Sequence, residues 1–245
     1  MNVFYGDLAE QWSILSPVEE YEPEAAALLV AFSERRPAAR TLLELGSGGG
    51  HLAFYLSRRL ACHLTDVSEA MLEVSRRLNP GCTHVIGDMR TLDLGRTFDL
   101  VLAYDAIDHM TTEADLAAAF ATAWRHLAPG GLACFLPDDL ADTFEPGTDV
   151  SGSDAPDGSG ARLFAWSEAV PPGESVATVH YSFLIRDRDG AVRTYYERHA
   201  YGLFHHATWE RLLTQAGFVV EVARERTEDD RVPRTLFFGH KRADA

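Results

Sequence analysis

One short stretch limits the folds open to this chain more than any other. From Thr41 to Ala53 the sequence reads TLLELGSGGGHLA, an apolar run containing Glu44, then a glycine cluster, then an amphipathic segment. This pattern is typical of a buried parallel strand that turns sharply into a helix. The glycines allow a ligand to approach the backbone, and the helix start offers unpaired N–H groups. The loop by itself predicts a site for a nucleotide-like cofactor.

Polar residues recur where other predicted strands end. Ala61–Asp66 is a second predicted strand, and Asp66 follows Gly46 by 20 positions, near the offset at which an acidic residue meets ribose hydroxyls. A third strand closes on Asp88, and the apolar run Phe98–Asp105 predicts a central strand buried on both faces. Because ligands of parallel sheets bind at the carboxyl ends of the strands, these residues define one predicted rim.

The alternation of strands and helices predicts a doubly wound α/β sheet with helices on both faces. After the third strand the predicted elements are the strand Phe98–Asp105, the helix Glu113–Leu127, a turn at Pro129-Gly130-Gly131, the strand Leu132–Leu136, the helix Thr208–Ala216, and the strands Phe218–Ala223 and Thr235–His240.

Residues 1–36 are predicted to form helical pieces separated at Pro17 and Pro23. Three aromatic residues there, Tyr5, Trp12 and Tyr21, either pack this segment onto the domain or close over a cofactor as a lid. Both alternatives are open from the sequence.

Residues 137–202 interrupt the βα rhythm and are predicted to form an inserted subdomain. Glu145–Gly160, rich in Gly, Ser, Asp and Pro, is predicted to be an exposed loop. Three strand-like segments follow, Leu163–Glu168, Ser175–Arg186 and Val192–Gly202, the last two joined by a turn. This small antiparallel sheet is expected to be either a substrate lid or the surface of a homodimer.

The bulk composition excludes some classes of partner. The net charge of −15 argues against binding of nucleic acid or an anionic membrane. The three cysteines form no CxxC pair, which fits a reducing cytoplasm, and no zinc or other metal site is expected. No signal peptide or transmembrane segment is predicted.

The catalytic group is the least determined part of the sequence. Candidates for a general base are His109, the pair His205-His206, and Asp105 or Asp108. His109 is the best placed, since it follows the predicted fourth strand, although a histidine that only hydrogen-bonds locally fits equally well. The pair Asp138-Asp139 suits a cationic amine or a metal ion, although a solvated loop is the commoner explanation for such a pair.

The motifs together resemble those of the class I S-adenosylmethionine-dependent methyltransferases. Glu44–Gly50 is similar to the E/DxGxGxG cofactor loop of that family, Asp66 to its ribose acid, and Gly87-Asp88-Met89 to its adenine-side motif. The helical lid and inserted sheet resemble the small-molecule branch, notably amino-sugar N,N-dimethyltransferases and glycine/sarcosine-type N-methyltransferases. The resemblance implies the sheet order 3-2-1-4-5-7-6 with strand seven antiparallel. It also implies a methyltransferase domain of residues 1–136 and 203–245.

The same resemblance implies S-adenosylmethionine as cofactor and a small-molecule acceptor methylated on N or O. The cofactor-binding residues that it implies are Tyr5, Trp12, Tyr21, Glu44, Gly46, Ser47, Gly48, Gly50, Asp66, Val67, Met71, Asp88, Met89, Arg90, Tyr104, Asp105 and His109.

Two other functions are compatible with the motifs. A protein that binds the cofactor without transferring a methyl group would keep the same loops. An NAD(P)-dependent oxidoreductase is disfavoured, because the loop has His51 after GxGxG and lacks the later glycine of a dinucleotide fingerprint.

Overall fold

The computed structural model describes residues 3–225 and 233–244. Predictions that fall on residues 1–2, 226–232 and 245 lie outside this part of the chain. The strands are β1 (Thr41–Leu45), β2 (Ala61–Asp66), β3 (Thr83–Ile86), β4 (Phe98–Tyr104), β5 (Leu127–Leu136), β6 (Thr148–Ser151), β7 (Gly160–Ser167), β8 (Val176–Arg186), β9 (Val192–Gly202), β10 (Val219–Arg224) and β11 (Thr235–His240).

The helices alternate with these strands over most of the chain. They are α1 (Trp12–Leu15), α2 (Glu22–Arg35), α3 (His51–Leu56), α4 (Glu69–Leu78), α5 (Glu113–His126) and α6 (His206–Gln215), with 3₁₀ turns at Ala9–Gln11, Val18–Tyr21 and Ala106–His109.

The larger sheet has seven strands in the order β3-β2-β1-β4-β5-β11-β10. Strand β11 runs antiparallel to both neighbours, whereas β1 to β5 pair in parallel. The predicted order 3-2-1-4-5-7-6 is therefore confirmed. One predicted turn is wrong: Pro129–Gly131 lies within β5, which begins at Leu127, and the β4–β5 register shifts between Phe98 and Leu100 to accommodate it.

Two apolar layers cover the sheet because successive side chains of a strand point to opposite faces. From β4, Leu100 and Leu102 pack with the layer that contains Leu28 of α2, and Val101 packs with the layer that contains Trp209 of α6. Burial of both faces holds the carboxyl ends of β1, β2 and β4 in one fixed row.

The N-terminal segment forms short helical pieces, as predicted. Pro17 separates α1 from the next 3₁₀ turn. The prediction of a break at Pro23 is wrong, since this residue lies in the first turn of α2, where a proline costs no hydrogen bond.

The inserted region forms a four-stranded antiparallel sheet in the order β6-β7-β8-β9. The predicted strands at β7, β8 and β9 are present, with the turn closed by a hydrogen bond from Gly190 N to Asp187 O of 3.0 Å. The prediction of a loop over Glu145–Gly160 is wrong in part, because Thr148–Ser151 forms β6 and pairs with β7. The division into residues 137–202 and the remainder stays a prediction.

Candidate active site

A cavity of about 770 Å³ lies where the predicted rim meets the inserted sheet. Its size is within the range of about 300–1,000 Å³ that is usual for small-molecule sites. One wall comes from the ends of β1, β2 and β4, and another from side chains of the inserted sheet such as Ala165, Val179 and Tyr201. The larger sheet thus supplies a floor and the insertion supplies a cover.

The glycine loop leaves β1 with a backbone that requires glycine. Gly46 has φ +76° and Gly48 φ +53°, and a Cβ on Gly46 would lie 2.3 Å from Cβ of Ala106. The N–H groups of Gly46 and Ser47 donate to the carbonyl of Thr65 at 2.8 and 2.9 Å. These bonds tie the loop to the end of β2, next to Asp66.

Two buried polar atoms at this loop have no hydrogen-bond partner among the residues that the structure describes. They are Oε2 of Glu44 and Oγ of Ser47, and both residues line the cavity. Burial raises the pKa of Glu44 to about 8, with smaller contributions from Cys82 and Asp66. Since buried polar atoms in native proteins nearly always have partners, these two fit a polar ligand such as the expected cofactor.

Asp66 is held in place by backbone donors at the end of β2. Its carboxylate accepts N–H of Gly48 and N–H of Ser68, each at 2.8 Å. Burial raises its pKa, and these backbone bonds act in the opposite direction. The carboxylate keeps lone pairs toward the cavity that suit the two hydroxyls of a ribose.

Apolar and acidic residues extend the cavity past Asp66. Val67 is 61% exposed although it lines the cavity, Met71 is fully buried behind the loop, and Met89 is buried on the β3 side. Arg90 donates to Asp88 at 2.6 Å and to Asp115 at 3.0 Å, and its hydrogen bond lowers the pKa of Asp88.

The three predicted lid residues, Tyr5, Trp12 and Tyr21, all line the cavity. Trp12 lies over the glycine loop, since a Cβ on Gly49 would be 2.8 Å from Trp12 Cδ1. Trp12 Nε1 donates to Nδ1 of His51 at 2.5 Å, and the rings stack at 11°. Burial lowers the pKa of His51 to about 4, so the acceptor nitrogen is available at neutral pH.

Gly50 is the one predicted cofactor residue absent from the cavity lining. A Cβ at this position would lie 2.2 Å from Oγ of Ser75 and 2.5 Å from Nδ2 of Asn79. Gly50 therefore allows α4 to pack closely against the loop, and a contact with the cofactor stays a prediction.

His109 lines the cavity at the end of the Ala106–His109 turn. Its ring meets Tyr5 edge-on with centroids 5.5 Å apart and lies 5.0 Å from the ring of Tyr201. Burial lowers the pKa of His109 to about 4, and the nearby His199 acts in the same direction. The imidazole is therefore neutral at pH 7, and its catalytic role stays a prediction.

A chain of hydrogen bonds in the inserted sheet reaches the cavity and was not predicted. Glu197 Oε1 lies 2.9 Å from Nε2 of His199, whose Nδ1 lies 2.9 Å from the hydroxyl of Tyr201. Tyr201 in turn contacts the hydroxyl of Tyr181 at 3.1 Å. Tyr181 and Tyr201 belong to a set of tyrosines that alternate along the inserted sheet, a pattern that more often indicates cross-strand packing than ligand contacts. Nothing in the sequence pointed to Glu197 or His199.

The other histidine candidates lie elsewhere. His205 and His206 do not line the cavity; they contact Asp142, which lies 3.0 Å from Nδ1 of His205 and accepts the backbone N–H of His206 at 2.6 Å. These contacts stabilise the N-terminus of α6.

Carboxylates surround the end of the cavity formed by β4 and β5. Asp105 and Asp108 follow β4, Asp138 and Asp139 follow β5, and all four line the cavity. Asp105 has φ +37°, unusual for a residue with a side chain. Such strain costs about 1–3 kcal/mol and concentrates at functional sites.

Arg234 at the start of β11 was also not predicted, because a lone arginine beside a strand gives no sequence signal. Its guanidinium donates to Glu24 at 3.1 Å, to Asp105 and Asp138 at 3.0 Å each, and to Glu225 at 2.9 Å. It also donates to the hydroxyl of Tyr104, which donates to Glu24. Burial opposes the charge of Arg234, but the surrounding carboxylates outweigh it and raise the pKa.

Within residues 3–225 and 233–244, no three His, Cys, Asp or Glu side chains are grouped so as to hold a metal ion. No helix in the same ranges has the length and apolar character needed to cross a bilayer.

Comparison with known sequences places the chain among methyltransferases. Residues 42–131 match the model of a methyltransferase domain family. A curated relative, the dTDP-3-amino-3,6-dideoxy-alpha-D-glucopyranose N,N-dimethyltransferase of Streptomyces fradiae, is 30% identical over 223 residues, which cover 89% of this chain and 86% of the relative.

Solved structures agree with this placement. DesVI from Streptomyces venezuelae superposes with a TM-score of 0.79 at 27% identity, covering 90% of this chain and 91% of that one. CalS10, an amino pentose methyltransferase from Micromonospora echinaspora solved with S-adenosylmethionine bound, gives a TM-score of 0.74 at 27% identity, with the same coverage of 90% and 91%.

These findings favour an enzyme over a cofactor-binding protein without transfer activity, and they do not favour an NAD(P)-dependent oxidoreductase. The activity is transfer of a methyl group from S-adenosylmethionine to a small-molecule metabolite. The chain belongs to the class I S-adenosylmethionine-dependent methyltransferases, in the small-molecule branch that contains the amino-sugar N,N-dimethyltransferases.

Proposed function

We propose that this enzyme methylates an amino nitrogen on a sugar-like ring. The observation that carries the proposal is the continuity of the cavity, in which the glycine loop and Asp66 open into a region lined by carboxylates. Carboxylates suit an amine better than a hydroxyl, because an amine binds as a cation and must release a proton to react. The Streptomyces fradiae relative is named for an amino-sugar substrate.

The cofactor supplies a methyl group that is already activated by the positive sulfur. We assign its methionine part to the loop Gly46–Gly48, to Glu44 and to the backbone of Tyr104. Asp66 accepts hydrogen bonds from the ribose, while Val67, Met71 and Met89 pack beside the adenine, with Asp88 near its amino group. Tyr5, Trp12 and Tyr21 exclude water from the reacting atoms.

The main task of the protein is then to orient the nitrogen lone pair in line with the bond that breaks. Orientation of this kind contributes about 7–11 kcal/mol to lowering a barrier. The neutral imidazole of His109 and the carboxylates beside it are the proton acceptors available in the cavity. Because the pKa of His109 is lowered and the pKa values of Asp105 and Asp108 are raised, His109 is a weaker base than these carboxylates.

The remaining expectations concern partners and location. We infer that the inserted sheet acts as a cover of the acceptor site, since its side chains line the cavity. Its other face exposes Phe164, Trp166 and Tyr196, which suit a homodimer. The acidic charge supports the absence of nucleic-acid partners, and the free cysteines support a cytoplasmic location.

A substitution at Asp66 tests the cofactor site. In Asp66→Asn we expect the affinity for S-adenosylhomocysteine to fall by roughly 10- to 100-fold, because hydrogen bonds to a charged group contribute about 1.5–3 kcal/mol. Isothermal titration calorimetry measures this directly. The exposed Asp93→Asn, the same chemical change outside the cavity, serves as the control. Equal affinities in both variants would reject the assignment of Asp66.

Turnover tests the reaction itself. With S-adenosylmethionine and a panel of amino sugars, mass spectrometry is expected to detect one and then two added methyl groups on nitrogen. Methyl transfer only to hydroxyl-bearing sugars in the same panel would overturn the proposed specificity for an amine.

A further inference from the structure

The first described residues of the chain are bound to the inserted sheet through one carboxylate. Glu197 of β9 accepts the backbone N–H of Val3 at 2.8 Å and that of Phe4 at 3.0 Å, one on each oxygen. Its side chain is 10% exposed, and Oε1 also lies 2.9 Å from Nε2 of His199, whose side chain is 1% exposed. A backbone N–H can only donate, so both oxygens of Glu197 accept hydrogen bonds here, as an ionised carboxylate does.

These contacts set the direction of the hydrogen bonds that follow. With Glu197 as acceptor, the network assigns the hydrogen of the neutral His199 ring to Nε2, which leaves Nδ1 as an acceptor. The group 2.9 Å from Nδ1 is the hydroxyl of Tyr201, which therefore donates to it. Since Tyr201 has one hydroxyl hydrogen, its oxygen can only accept from the other groups around it.

Two further tyrosines surround the hydroxyl of Tyr201 and line the cavity with it. The hydroxyl of Tyr181 lies 3.1 Å away, and Tyr5 of the N-terminal segment also hydrogen-bonds to Tyr201. Because the hydrogen of Tyr201 is directed to His199, the hydroxyls of Tyr5 and Tyr181 donate to its oxygen. Their own oxygens keep lone pairs for a ligand, so the cluster suits a group that donates hydrogen bonds, such as an ammonium.

The surroundings of His199 favour the arrival of a proton. Tyr181 packs on its ring from β8 with centroids 4.9 Å apart. The rings of Tyr5 and His109 lie 5.6 and 6.3 Å away. Burial raises the pKa of both tyrosines and lowers that of His109 to about 4, so these three groups are neutral at pH 7. An imidazolium at His199 would face the carboxylate of Glu197 at 2.9 Å, in surroundings that screen little.

On the basis of the proposed N-methylation, we infer that the tyrosine cluster of Tyr5, Tyr181 and Tyr201 binds the ammonium of the acceptor and passes its surplus proton to His199. Tyr5 and Tyr181 contact the acceptor nitrogen. His199 and Glu197 lie behind the cavity wall and act through Tyr201, so they are positioning residues for this proton transfer.

The proton moves along hydrogen bonds that already exist. One proton leaves the ammonium for the oxygen of Tyr5 or Tyr181, the hydrogen of that tyrosine moves to the oxygen of Tyr201, and the hydrogen of Tyr201 moves to Nδ1 of His199. The lone pair left on the nitrogen forms the new N–C bond as the S–C bond breaks, and the electron pair of the broken bond stays on sulfur. When the product leaves, the proton returns along the same hydroxyls to solvent, which prepares His199 for a second methylation.

The pH dependence of kcat tests this inference. The probe is dTDP-3-amino-3,6-dideoxy-alpha-D-glucopyranose, the compound for which the Streptomyces fradiae relative is named, or the amino sugar of the panel that turns over fastest. In Tyr201→Phe we expect kcat at pH 7 to fall by about 100-fold, a typical contribution of a positioned proton acceptor. At about two pH units above the pKa of the free amine the loss should shrink to about threefold or less, because the acceptor then arrives without its surplus proton.

A second variant tests the inner end of the path. In His199→Gln the side chain keeps a hydrogen bond to Glu197 but cannot hold an added proton, so we expect the same loss at pH 7 and the same recovery at high pH. The matched control is Tyr196→Phe. On the outer face of the inserted sheet, His180 lies 2.7 Å from both Tyr196 and Glu168 and repeats the same arrangement away from the cavity. The control is expected to keep the kcat of the unmodified enzyme at both pH values.

The contrary outcomes separate this inference from the proposed function. Calorimetry with S-adenosylhomocysteine shows whether each variant is folded, and if His199→Gln is not, Tyr201→Phe decides alone. An unchanged kcat in Tyr201→Phe at pH 7 would overturn the inference and leave N-methyl transfer standing. So would a loss of equal size at both pH values, because a purely structural contact does not depend on the protonation of the acceptor. No methylation of any amine by the unmodified enzyme would overturn the proposed function and this inference with it.

Discussion

Individual buried acids determine much of the chemistry of this site. Glu44 and Asp108 each have one buried oxygen that accepts no hydrogen bond from the described part of the chain, and burial raises the pKa of both. Without a bound ligand, such unpaired buried groups lower the stability of the protein, and they remain available to bind the ligand. The cost is measurable as a dependence of stability on pH.

For Glu44 the sign of this dependence follows from its pKa. The folded value is about 8 and the ordinary value is 4.5, so folding favours the protonated acid. Its contribution to stability is complete below the ordinary pKa and is lost as pH rises toward about 8. Glu44→Gln is neutral at every pH, and we expect its advantage over the unmodified protein to grow between pH 5 and pH 8. Urea denaturation across that range measures the free energy of unfolding of both proteins. A difference between them that stays constant from pH 5 to pH 8 would contradict the raised pKa.

Asp108→Asn is expected to stabilise the protein. Burial and the charge of Asp138 hold the pKa of Asp108 well above its usual range, so folding keeps this carboxyl protonated, whereas an asparagine needs no proton to stay neutral. The expected gain in the free energy of unfolding comes from this protonation, which the wild-type protein must maintain above the ordinary pKa of an aspartate and the variant need not. The gain should be larger at pH 9 than at pH 6, because the unmodified carboxyl must lose its proton as pH rises. A loss of stability at both pH values would contradict the raised pKa of Asp108.

At the scale of elements, the helices and strands with a regular pattern of apolar residues could be predicted from the sequence. Elements that depend on contacts between distant residues could not. The glycine loop, Asp66 and Asp88 were predictable because parallel strands end at one edge of a sheet. Strand β6 was missed, since its four residues are exposed and pair only with β7. Tyr201 contacts Tyr181, and Arg234 contacts Glu24, Asp105 and Asp138. These contacts join residues far apart in sequence, so no local sequence pattern predicts them.

The docking of the inserted sheet can be tested at Gly202, the last residue of β9. A Cβ there would lie 2.0 Å from the carbonyl oxygen of Met110, beyond the turn that carries Asp108 and His109. Gly202→Ala must push β9 away from this turn, and overpacking of this kind costs about 1–3 kcal/mol. We expect a lower Tm and a higher acceptor KM, with cofactor affinity retained. Thermal denaturation and steady-state kinetics measure these effects.

The control for this experiment is Gly147→Ala. Gly147 has open space around the position of a Cβ, and its backbone is not in the left-handed region. Its Tm and KM are expected to match those of the unmodified enzyme. Equal behaviour of the two variants would show that the inserted sheet does not depend on close contact at Gly202.

At the scale of the whole molecule, we expect the acidic charge to attract the proposed cationic acceptor. The chain carries a net charge of −15, and four carboxylates line the acceptor end of the cavity. Clefts lined by one sign of charge concentrate ligands of the opposite sign, and salt screens the effect. For a cationic amine we expect kcat/KM to fall by roughly threefold or more between 0.05 and 0.5 M NaCl.

The salt dependence should be shallower when part of the charge is removed. In Asp139→Asn the slope of log kcat/KM against log salt concentration is expected to decrease, whereas Asp93→Asn should keep the original slope. Steady-state rates measured at five salt concentrations decide the matter. A kcat/KM that rises with salt concentration would contradict the attraction of a cationic acceptor to these carboxylates.

The position of Trp12 should make the intrinsic fluorescence of the enzyme sensitive to cofactor binding. Its indole stacks on His51 and lies over Gly49, on the wall of the cofactor cavity. Indole emission responds to water and to neighbouring charge, so the arrival of a sulfonium beside this ring should change the intrinsic fluorescence. The other three tryptophans, Trp124, Trp166 and Trp209, do not line the cavity and supply a constant background. Each cycle of cofactor entry and release can thus be followed in real time without any label.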